Sequence, residues 1–186
     1  GLSKLSYTDE VVYSPKGNPQ PEGTPEEILQ AGQQMYEELS PETKEFFDFM
    51  MDNELLDVFG RKTKAVGGYM TYIPDYKAPF IFANFNGTSG DVDVMTHECG
   101  HAFQGYLAAA DPIREHADIG METAEIHSMS MEFFTEPWYP LFFGKETAQE
   151  YTDMHLEDAV IFVPYGCMVD EFQHIIYDNP NLTPKE

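Results

Sequence analysis

His97-Glu98-Cys99-Gly100-His101 constrains this chain more than any other stretch. It has the form H-E-x-x-H. On a helix, residues four apart stack on one face, so the imidazoles of His97 and His101 can converge on one metal ion. Glu98 is too close in sequence to join that ion's tetrahedron easily. It is well placed to hold a water bound to that metal. The alternative is two histidines on a solvated helix, and the surrounding sequence has to decide between the two.

Length and composition narrow the class. The 186 residues, 42% hydrophobic and 14% aromatic, suit one globular domain or a large piece of one. No apolar run approaches the roughly eighteen residues that a membrane span requires. Gly1-Leu2-Ser3-Lys4 shows neither an initiator Met nor a signal-peptide apolar core. Two cysteines, Cys99 and Cys167, make no disulfide framework and point to a reducing, cytoplasmic setting. A net charge of −23 would repel phosphates, which argues against nucleic acid as a partner. Solubility explains that charge more simply than a cationic substrate does.

Residues 7–23, punctuated by Pro15, Gly17, Pro19, Pro21 and Gly23, read as extended or loop. Thr24-Pro25-Glu26-Glu27 is a helix start with Thr24 as cap and Glu27 closing a capping box, and that helix runs to about Leu39. Ser40-Pro41-Glu42 starts a second, whose Phe46, Phe47, Met50, Met51 and Leu55 fall at helical spacing and belong to the core. From Gly67 the period changes. Residues 69–73 and 80–85 read as short strands, with Pro74 and Pro79 confining them to edges or strand ends, and Asn86-Gly87 as a turn. A strand edge beside a metal helix is a place where an extended peptide can pair.

The metal helix runs from Asp91 to about Ala110. Asp93, four residues before His97, is placed either to accept a hydrogen bond from the ring nitrogen that faces away from the metal or simply to offset the helix dipole. A further helix covers about Met121 to Phe134 and stops before Pro137. Residues 145–178 look mainly helical, with a kink or break at Val163-Pro164 and an end at Asn179-Pro180. Thr183-Pro184-Lys185-Glu186 has the T-P-x-E form of a helix start with no helix after it, as if cut from something longer.

A catalytic zinc takes three protein ligands and an open position. In H-E-x-x-H-x-x-G-x-x-H the third is a histidine, but here Gln104 and Leu107 occupy the glycine and histidine positions. A glutamate on the following helix remains. Glu122 and Glu125 share a face, with Glu132 two turns beyond Glu125, and spacing alone does not choose between the first two.

The segment Met121–Glu132 resembles the second zinc-binding segment of the M3 peptidases, the thimet oligopeptidase and oligoendopeptidase F family. Glu125, Ser128 and Glu132 match its Glu-x-x-Ser core and the second glutamate seven residues on. Asp91–Phe103 is similar to the family's zinc helix. The likeness extends over roughly residues 65–180, strongest to the oligoendopeptidase F and Pz-peptidase branch through Phe80–Gln104 and Phe162–His174. The resemblance implies a mainly α fold with a small β-sheet, a zincin-like metallopeptidase catalytic domain, of which residues 1–186 are a part. It implies one Zn²⁺ per chain on His97, His101 and Glu125, with Glu98 as general base. It also implies a histidine and a tyrosine that stabilise the tetrahedral intermediate, for which His155 and Tyr165 are the matches. Oligopeptides are the implied substrates. The partners are the missing remainder of a longer chain or other copies in a homo-oligomer. Such a chain either cleaves peptides or is a zinc-binding fragment inactive alone. His116, His127 and His174 are left as ordinary residues; His127 lies about 200° round a helix from Glu125 and so points away from the metal.

Overall fold

The computed structural model describes Ser14 and residues 16–185. The loop expected over residues 7–23 is present from 16 to 23, and its remainder at 7–13 and Pro15 lies outside the described residues, as does Glu186.

Two capped helices open the described fold. In α1 (Pro25–Leu39), Thr24 Oγ1 accepts from the Glu27 amide at 3.3 Å, and Glu27 Oε2 accepts from the Thr24 amide at 2.7 Å. Ser40 caps α2 (Pro41–Asp52) in the same reciprocal way with Thr43. The two helices pack together, closing Tyr36, Phe46 and Phe47 into a buried ring cluster in which Tyr36 and Phe47 stack at 5.0 Å. Phe46, Phe47 and Met50 are fully buried as their spacing predicts, while Met51 and Leu55 are only partly so.

A three-stranded sheet follows, in the order β1-β3-β2 (β1 Leu56–Asp57, β2 Tyr69–Ile73, β3 Ala78–Phe82). β2 and β3 are antiparallel, and β1 and β3 parallel. Pro79, the second residue of β3, lies at a strand end as expected, although β3 is the central strand. The register explains why it is tolerated. The Ile81 and Ala83 amides bond to Leu55 and Asp57, so the nitrogen of Pro79 faces the same side, beyond the end of two-residue β1, where no acceptor awaits it.

The helix that carries H-E-x-x-H is built in three pieces: α3 (Gly90–Asp93), a π turn (Val94–Glu98) and α4 (Cys99–Ala108). The buried Asp91 carboxylate accepts from the Asn86 and Gly87 amides and holds the preceding turn. Within the π turn, the Thr96 hydroxyl donates to Val92 O at 3.2 Å and to Asp93 O at 3.3 Å. A short α5 (Arg114–Ala117) leads to α6 (Met121–Phe134), which crosses α4 closely. Gly100 makes the crossing possible. A Cβ there would come within 2.7 Å of Ser128 Cα, and that backbone has no room to yield.

The last helix, α7 (Tyr139–Asp178), corrects one expectation. It continues through Pro164, whose neighbours Val160–Tyr165 are all exposed, so the carbonyl left without a partner is open to water. The break lies instead at Gly144, which adopts φ 68° and ψ 168°. The helix ends at Asn179, as expected, with the Asn179 side chain donating to Ile175 O. Among the described residues no helix is long and apolar enough to cross a membrane.

Candidate metal centre

His97 lies in the π turn and His101 in the first turn of α4, while the α4–α6 crossing brings Glu125 over both. Glu125 Oε2 stands 3.1 Å from His97 Nε2 and 3.5 Å from His101 Nε2. One donor atom from each of the three lies within 4.8 Å of the others. The edge of a zinc tetrahedron with bonds near 2.0–2.1 Å is about 3.3 Å, so two imidazoles and one carboxylate at these separations fit that ion. Glu122 is exposed and stands outside this group. Ser128 donates to Glu125 Oε2 at 2.7 Å and fixes the carboxylate's rotamer.

Behind the triad both histidines are held by their other nitrogen. His97 Nδ1–H donates to Glu132 Oε1 at 2.5 Å, and Glu132 Oε2 accepts from His155 Nε2 at 2.5 Å. Glu132 therefore takes the part expected of Asp93. The wider π turn between them breaks the one-turn stacking that would bring Asp93 over His97, and the Asp93 carboxylate accepts from the Tyr151 hydroxyl instead. Burial opposes the charge on Glu132, but the hydrogen bonds from His155 and His97 outweigh it and hold the carboxyl down at about 2. Burial raises Asp93 to about 6 against the Tyr151 hydrogen bond. His101 Nδ1 meets His127 Nε2 at 3.1 Å. His127 stands outside the triad, as expected, but it is not an ordinary surface residue: it packs against the back of the His101 ring.

Glu98 is half-buried beside the triad. Burial raises its carboxyl, against the His97 charge and a hydrogen bond from the Met70 backbone. That bond ties it to the sheet. Ile81 and Ala83 point their amides at β1, so Phe80 and Phe82 face β2, and alternation turns Met70 and Tyr72 to the open edge. The open edge of β2 thus runs past Glu98.

His155 lines the cavity that contains His97, Glu125 and Glu132, but its Nε2 is committed to Glu132. Tyr165 is not among the residues that line this cavity. It lies roughly 15 Å further along α7 than His155 and is 55% exposed, with its ring 6.1 Å from Phe162. His116 pairs with Asp111 at the surface, and His174 lies near Asp170 on exposed α7. Cys99, inside the motif, faces the core, where burial pushes its thiol up against Tyr36. Of the supporting residues, Glu132 had a sequence signal in its match to the zinc-binding segment, and His127 had none.

A helical domain that brings a glutamate from one helix over the two histidines of H-E-x-x-H on another forms a candidate metal site, and the comparisons narrow the class. The model of peptidase family M3 matches residues 33–186, and the chain belongs to that family. It is similar to a solved structure assigned as oligoendopeptidase F from Bacillus anthracis str. Ames. That pair shares 56% identity with a TM-score of 0.93, over 100% of this chain and 34% of the other. A second structure assigned as oligoendopeptidase F matches at 59% identity and TM-score 0.91, over 98% of this chain and 32% of that one. PZ peptidase A, solved with an inhibitor, matches at 58% and 0.92, over 99% and 33%. The mainly α, zincin-like architecture is thus that of M3 peptidases, and the chain spans about a third of these relatives' length. No curated protein matches the sequence.

Proposed function

We propose that this chain is the zinc-binding core of an oligopeptide-cleaving metallopeptidase. The observation that carries the reading is the Glu125 carboxylate 3.1 and 3.5 Å from two Nε2 atoms whose rings are each held from behind through Nδ1. Two imidazoles and one carboxylate would hold zinc, which supplies a Lewis acid able to lower a water's pKa towards about 7. Glu98 takes the proton of the attacking water and returns it to the leaving amine, working from a pKa that burial has already raised. An extended peptide lies along the open edge of β2, where Tyr72 keeps an outward amide and the Met70 amide is already engaged by Glu98. His155 acts through Glu132, holding the carboxylate that holds His97. Tyr165, not among the residues that line the cavity, has no step in this proposal.

Glu98→Gln tests the reading. The variant should keep its zinc and lose about 10²- to 10⁴-fold in the rate of cleavage of a fluorogenic oligopeptide. An unaltered rate would remove Glu98 as the base. A second reading, a zinc-binding fragment inactive alone, is favoured by the chain's span of about a third of its relatives and by the exposed apolar face of α7 beyond Leu156. Zinc bound with no cleavage by the wild-type chain would select it.

A further inference from the structure

His127 is used neither as a ligand nor in the proton transfer proposed above, yet it is the partner of a ligand. Its Nε2 stands 3.1 Å from His101 Nδ1, with the two rings at 84° and their centroids 5.2 Å apart. The backbone fixes this meeting. A Cβ on Gly100 would lie 2.7 Å from Ser128 Cα and 3.1 Å from His127 O, so α6 rests on α4 one residue before His101.

Two ring nitrogens this close share one proton, and for neutral rings there are two placements. In one, His127 carries it on Nε2. His101 then keeps its own proton on Nε2, the atom turned towards Glu125, and cannot ligate through it. In the other, His101 carries the proton on Nδ1, its Nε2 lone pair is free, and His127 accepts with its own proton on Nδ1. Only the second placement suits a metal held by His101 Nε2.

We propose that His127 is the positioning residue of His101, a neutral acceptor that keeps the ring in its Nδ1–H form with Nε2 turned to the metal. The inference rests on the zinc reading of the triad. The two histidine ligands are then backed by different chemistry. His97 leans on the Glu132 carboxylate, which is itself tied to His155, and His101 leans on an uncharged imidazole. A neutral acceptor orients the ligand without adding a third negative charge to Glu125 and Glu132, which would lessen the metal's pull on an incoming carbonyl or water.

The test compares zinc affinity of the wild-type chain, His127→Phe and His127→Gln by competition with a chromophoric chelator near about pH 8, where free histidine is neutral. Phenylalanine keeps the ring's bulk and removes the acceptor; glutamine returns an acceptor oxygen close to the Nε2 position. The phenylalanine variant should bind zinc about 10- to 100-fold more weakly, and the glutamine variant should recover to within about threefold of wild type. Wild-type affinity in the phenylalanine variant, or an equal loss in both, overturns the proposal and leaves the zinc site standing. A wild-type chain that binds no zinc overturns the zinc reading and this inference together. Should the phenylalanine variant fail to fold, the ¹⁵N spectrum of zinc-loaded wild type decides alone: a proton on His127 Nδ1 with a bare Nε2 supports the role, and a proton on Nε2 contradicts it.

Discussion

Helix α7 holds two regions of opposite character. Its first part, from Tyr139 to His155, buries Tyr139, Phe142, Phe143 and Tyr151 and delivers His155 to Glu132. Its second part turns Val160, Ile161, Phe162, Val163, Met168 and Phe172 outwards, each at least half exposed. The same kind of apolar side chain is core in one stretch and surface in the other. The difference shows what this chain completes by itself. Both histidines of the triad have their supporting partners within it, and α6 and the first part of α7 pack that support in place. The second part of α7 contributes apolar area that nothing among the described residues covers.

The sharpest way to break this comparison is at Phe143, which is fully buried and stacked 4.2 Å from Tyr151. Phe143→Ala should cost about 3–5 kcal/mol in denaturant unfolding, and a loss below about 1 kcal/mol would mean the first part of α7 is not anchored as described.

Glu132 gives a smaller effect with a definite sign. Its folded carboxyl sits at about 2, below the ordinary 4.5, so the stability it contributes is present above 4.5 and is lost as pH falls through that window. The contribution is on the order of 3 kcal/mol. Asp93, raised to about 6, slopes the other way, losing stability as pH rises from 3.8 towards that value. The quantity to read is therefore the wild-type slope minus that of Glu132→Gln in the metal-free chain. Below about pH 4.5 the wild type should lose stability more steeply, and parallel curves would remove Glu132 from the support of His97.

The smallest effect belongs to the second part of α7. Val160 is 72% exposed, so Val160→Gln should change unfolding free energy by no more than about 0.5 kcal/mol. A large loss would show that this face is packed in solution and would erase the contrast.

Much of the frame was legible in the sequence because it is written locally. Thr24–Glu27 and Ser40–Thr43 carry their capping chemistry within four residues, and β2 falls on Tyr69–Ile73 as read. The pairing of His97 with His101 follows from helical spacing, whereas Glu125 over Glu122 required the resemblance. What the sequence hid depends on how elements meet. The π turn shifted Asp93 away from His97 without any glycine or proline to mark it. Pro79 sits in a central strand only because β1 is too short to need its amide. Pro164 stays helical on an open face, and the interruption fell to Gly144. His127 reaches His101 only because Gly100 lets two helices touch.

The central claim is that His97, His101 and Glu125 form one metal site assembled by this chain alone. Zinc content of the purified chain, measured beside His97→Ala after both are supplied with zinc and desalted, tests it most directly. The account predicts about one zinc per wild-type chain and loss of that zinc in the variant. No zinc on the wild-type chain, or equal zinc on both, would contradict it.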